Sequence, residues 1–178
     1  MKRLFLFSAL FWFLLIPSTS AASAVFNAGF EQGWRGWMNA GWQLAARGDQ
    51  SSHSALAHLD TGAGGEADVL LCSKPLRVNP GKIYRAGLSF YFARQHGEFT
   101  NTYFMIRWLG ADGARLYDQV WDDSQSYIPA RRWRRVTSYY PLEPEADVRF
   151  AQVCARAYAF PRSVLKLYVD NFTLEERQ

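Results

Sequence analysis

Catalysis asks for reactive groups that can meet around one substrate, and this chain offers few of them. Its three histidines, His53, His58 and His96, fall in no metal-ligand pattern such as H-E-x-x-H and read as surface or turn residues. Asp122 and Asp123 are adjacent carboxylates followed by Ser124. Neighbours on a strand point to opposite faces, so these two do not form an acid–base pair across one substrate. The sequence shows no Gly-rich phosphate loop and no nucleophile elbow. It reads as non-catalytic.

Two other groupings carry chemistry. Arg131, Arg132, Arg134 and Arg135 flank Trp133. Guanidinium forks suit carboxylates and phosphates, so one reading is an anionic ligand. The other is a solvated strand entry with Trp133 packed in the core. Cys72 and Cys154 are the two cysteines, and an even count in an exported chain points to a disulfide.

Export is expected from residues 1–24. Lys2 and Arg3 precede an apolar run from Leu4 to Ile16, then Pro17 and a string of small residues ending at Ala24. That is the layout of a secretory signal peptide, and the run is shorter than the ~20 residues of a membrane span. No second apolar stretch approaches that length, so the domain is expected to be exported, periplasmic or extracellular, and not membrane-spanning. Formal charge is +4, from 20 basic and 16 acidic residues. Removal of Lys2 and Arg3 leaves about +2, which with export argues against nucleic acid as a partner.

The elements that must position these residues are strands. The 178 residues suit one domain, and hydrophobic content of 49% supplies a sizeable core. Strands are expected at 41–46, 54–59, 68–78, 83–92, 103–109, 115–121, 133–140, 148–158 and 164–174, the run 83–92 being rich in aromatic and aliphatic residues. Turn signals separate them, among them Asn79-Pro80-Gly81 and Gly110-Ala111-Asp112-Gly113. No segment keeps a 3.6-residue period. Residues 25–178 therefore read as a single all-β unit, an antiparallel β-sandwich or jelly roll.

Several short motifs occur in a telling order. Phe26-Asn27-Ala28-Gly29-Phe30-Glu31 is followed by Gly33-Trp34-Arg35-Gly36-Trp37. Ser52-His53-Ser54, Ser73-Lys74-Pro75-Leu76 and Pro80-Gly81-Lys82-Ile83-Tyr84 come next. Trp133-Arg134-Arg135-Val136 and Tyr168-Val169-Asp170-Asn171-Phe172-Thr173-Leu174 close the series. Together they resemble bacterial carbohydrate-binding modules of families four, nine and twenty-two, over about residues 26 to 175. Ala55 stands where the family usually has Gly, and Asn171 where it has a second Asp.

The resemblance implies a galactose-binding-like jelly roll that binds a polysaccharide across one sheet. It places Gln152 at a frequent binding position, with Arg156 on the same face and Lys74 on the neighbouring strand. Tyr117 and Trp121 are the implied stacking residues. It makes the strand of Cys72 a neighbour of the strand of Cys154, so that a bridge would lie on the face of Lys74 and Gln152. It also implies a structural calcium ion held by Glu31, Asp170 and backbone carbonyls from Gln50 to Ser54. A second reading has the same sandwich without a glycan site, as a structural or interaction protein of the envelope or of an exopolysaccharide system, with an envelope protein as partner.

Overall fold

The computed structural model describes residues 25–97, 100–123 and 131–177. The expected leader, residues 1–24, and Ser124 lie outside them. Eleven strands follow in order: β1 Trp37–Ala40, β2 Gln43–Ala45, β3 Ser54–Asp60, β4 Ala67–Ser73, β5 Leu76–Arg77, β6 Ile83–His96, β7 Thr100–Leu109, β8 Arg115–Asp123, β9 Arg134–Thr137, β10 Phe150–Ala159 and β11 Val164–Arg177. The described residues include no helix, in accord with the missing helical period.

The strands form two antiparallel sheets. One runs β1-β4-β10-β7-β8, with β5 also paired to β10; the other runs β2-β3-β11-β6-β9. The expected strand at 68–78 is divided because Pro75 has no N–H to give the ladder. The strand expected at 133–140 shortens to Arg134–Thr137, and β1 was not foreseen.

Alternation decides which side chains meet. Ala151, Val153, Ala155, Ala157 and Ala159 of β10 are buried between the sheets, against Leu165, Leu167 and Val169 of β11. These small alanines leave room for large neighbours such as Trp108, Phe104 and Phe90, which are fully buried.

The opening motif closes one end of this core. The Asn27 side chain donates to the carbonyls of Gly33 and Arg35 and accepts from the Gln32 N–H, tying a compact turn. That turn drives Phe30 inward until it is wholly buried, with its ring centroid 4.7 Å from Trp37 and 6.1 Å from Phe172. Phe30 holds a φ of 58°, a left-handed conformation that non-glycine residues seldom adopt. Packing around the ring offsets that backbone cost.

Candidate functional site

On the six-stranded sheet, the residues of β10 that alternate with the core alanines face outward. The register places Cys154 opposite Cys72 on one side and Met105 on the other. The row continues to Met38 of β1 and Val120 of β8. An apolar, sulfur-rich stripe thus crosses five strands. Cys72 and Cys154 are joined by a disulfide, with Cα atoms 4.2 Å apart. Both are almost fully buried, packed with Met105, Leu70 and Tyr103.

Charged pairs stand on either side of this stripe. Arg156 grips Asp68 through two hydrogen bonds, Nε to Oδ1 at 2.9 Å and Nη2 to Oδ2 at 2.6 Å. Arg107 grips Asp118 the same way, at 3.0 and 3.3 Å, and Arg115 reaches the same carboxylate at 3.1 Å. These residues, with Ala40, Leu70 and Met105, line a cleft of about 320 Å³. The forked pairing fixes each guanidinium while leaving its remaining N–H groups free for a ligand. Three Arg against two Asp leave the cleft with a small positive excess.

The residues expected to bind glycan are dispersed. Gln152 and Arg156 lie on this outer face, with Lys74 exposed just beyond β4. Gln152, however, is only 3% exposed, and its Nε2 donates to the Ser73 carbonyl at 2.7 Å under the thioether of Met38. It props the stripe from below. Tyr117 and Trp121 sit on the other face of β8, packed inward at 6.3 Å from Trp108 and 5.8 Å from Phe104. The inner alternation of β8 also carries Gln119, which accepts from Trp108 Nε1. Tyr103 and Tyr158 bring aromatic rings to the outer face, and Tyr103 Oη accepts from Asn101 Nδ2 at 2.6 Å. Sequence reasoning found the strand of Tyr103 and Arg107, but not their place in the cleft, which depends on cross-strand register.

The expected calcium residues meet the chain ends. Asp170 is fully buried and accepts from the N–H groups of Asp49 and Asn171 and from Ser51 Oγ. Burial pushes its carboxyl above the ordinary range, although those hydrogen bonds oppose the shift. Ser51 Oγ also faces the His53 carbonyl. A Cβ added at Gly48 would lie within 2.6 Å of three oxygens, Ser51 Oγ, Ser51 O and His53 O. The Asp170 side therefore gathers carboxylate, hydroxyl and carbonyl oxygens beside a glycine, the oxygen ligands a hard cation takes, although its carboxylate already accepts three hydrogen bonds. Glu31 is engaged elsewhere. It accepts from Ser52 Oγ and from the N–H groups of Ser52 and His53, and the Ser52 hydroxyl foremost holds its carboxyl down at about 2. Among the described residues no three His, Cys, Asp or Glu side chains converge on one point.

Of the histidines, His53 joins that Glu31 cluster at 3.4 Å, while His58 and His96 are exposed. Trp133 does not enter the core. It leans on Tyr91 on the outer face of the five-stranded sheet, at 5.7 Å.

No protein-family model matches the sequence, and no curated protein matches it. Solved structures do share the fold. TmCBM61, solved in complex with β-1,4-galactotriose, aligns with a TM-score of 0.59 at 12% identity, over 88% of this chain and 100% of that one. The C-terminal family 22 carbohydrate-binding module of Clostridium thermocellum Xyn10B aligns at 0.58 and 17% identity, over 88% and 96%. A family 4 module aligns at 0.52 and 15%, over 83% and 99%. The chain also matches 27% of a GH51 α-L-arabinofuranosidase chain, at 0.59 and 14% identity. At these identities the likeness establishes the jelly-roll fold.

Proposed function

We propose that this chain is an exported, non-catalytic glycan-binding domain that holds a polysaccharide across the outer face of its six-stranded sheet. The cleft between the Arg156–Asp68 and Arg107–Asp118 pairs carries the reading. A sugar presents apolar C–H faces and a rim of hydroxyls. The stripe of Leu70, Met105 and the covered disulfide offers the first an apolar floor. Fixed guanidinium and carboxylate groups offer the second donors and acceptors at set positions. Kinship of fold with modules such as the galactotriose-bound one supports the reading. A glycan array tests it. Retention of a neutral glycan by the wild type should fall roughly ten- to hundredfold in Arg156→Ala and in Arg107→Ala, with unchanged circular dichroism. Retention indifferent to both substitutions would remove this cleft as the site.

Calcium belongs to the same proposal as a structural ion. Asp170, Ser51 and the carbonyls of Ser51 and His53 would hold it where the segment before β3 meets β11, tying that loop to the closing strand. An ion bound only by the folded state raises stability with its concentration. The melting temperature should therefore rise in millimolar calcium over chelator, and the rise should vanish in Asp170→Asn. An equal melting temperature in both conditions would exclude the ion.

A further inference from the structure

The outer face of the five-stranded sheet is unlike the face described above. Its register sets His58, Lys166 and Arg94 side by side across β3, β11 and β6. In the next row Tyr168 lies beside Tyr91. Arg47 covers both rings, its guanidinium carbon 3.9 Å from the Tyr91 centroid and 5.4 Å from that of Tyr168. Trp133 extends the aromatic surface at 5.7 Å from Tyr91, and Lys166 Nζ stands 5.9 Å from the Tyr168 centroid. Arg131 and Arg132, both exposed, precede Trp133.

The charges here are unbalanced. Arg47, Arg94 and Lys166 figure in no ion pair among the described residues, whereas the arginines of the first cleft are all paired. The carboxylates on the same alternation are Asp60, at the far corner beside Val164, Asp170, which is buried and bonded to Asp49 and Ser51, and Glu175, which stands opposite Arg85 beyond the register shift that follows Asp170. The chain's overall excess of four positive charges is small, so this concentration is a property of one face. Cations held over aromatic rings lose little freedom when they bind an anion, and the half-buried Trp133 ring beside them offers stacking area.

We propose that this face is a second binding surface, for an acidic polysaccharide. Carboxylate or sulfate groups along the polymer would pair with Arg94, Lys166 and Arg47, while a sugar ring stacks on Trp133. The proposal is independent of the first cleft, and the experiment separates the two. Affinity electrophoresis would use gels carrying polygalacturonate or neutral dextran, with anionic phosphatidylglycerol vesicles and a single-stranded oligonucleotide as competitors. The wild type should be retarded by polygalacturonate at low salt and released at about 1 M salt, where the screening length is about 3 Å. Arg94→Gln combined with Lys166→Gln should weaken retardation about tenfold or more, as should Trp133→Ala, while Arg156→Ala leaves it intact. These residues point into solvent or onto the sheet surface, and circular dichroism verifies that each variant folds. Absence of retardation by polygalacturonate overturns the proposal. So does retardation that survives the double variant or fails in Arg156→Ala. Stronger capture by vesicles or oligonucleotide than by the polymer assigns the face to another partner and equally overturns it.

Discussion

Phe30→Ala should cost this domain about 3–5 kcal/mol of folding stability, the range for truncating a fully buried aromatic ring. Three features combine at this position. The ring is wholly enclosed by Trp37, Phe172 and Trp34. It joins the N-terminal turn to β1 and β11, so a cavity there loosens two strands at once. Its backbone stays in the left-handed region, a strain that the alanine variant keeps without the packing that opposes it. For a domain of this size the melting temperature should fall on the order of 10 °C. Urea denaturation of the variant should show a lower midpoint at an unchanged slope. A loss below about 1 kcal/mol would mean that the end of the core collapses around the missing ring.

Removal of the disulfide should rank beside it. Cys72 and Cys154 are 82 residues apart in sequence, and opening so long a loop frees the unfolded chain by about 4 kcal/mol in the chain-entropy view. The paired substitution Cys72→Ala and Cys154→Ala should therefore lower the urea midpoint strongly. It should also weaken glycan retention at the first cleft, because the bridge and its covering residues form the floor. A double variant as stable as the wild type would show that β4 and β10 are held by their ladder alone.

Much of this architecture was legible. The alternation in β10 separates Ala151, Val153 and Ala155 from Gln152, Cys154 and Arg156, and the sheet follows that division. The order of turns and strands was sufficient for the jelly roll. β8 defeats the same reasoning for a physical reason. Its inner row mixes Tyr117, Gln119 and Trp121, and its outer row includes Val120, which is 50% exposed. The hydrophobic pattern therefore does not tell which row faces the core, and two register irregularities against β7 blur it further. Trp121→Ala is accordingly a packing variant, since its ring lies against Phe104. Arg107 and Asp118 escaped notice because neither is unusual alone; only the β7–β8 register brings them together. Gln152 shows the converse. Its position on the face was read correctly, but its burial under Met38 depends on β1, a strand that the sequence pattern does not mark.

The two sheets of the sandwich turn their outer faces in opposite directions, with a core about 10 Å thick between them. No ligand can touch both faces without passing round an edge. If each face holds a polymer, the two polymers are different chains, or distant stretches of one chain, fastened a fixed and short distance apart. A domain occupied in this way is a junction in a network rather than a plug on a single strand. The rigidity of the all-β core then becomes the stiffness of the crosslink.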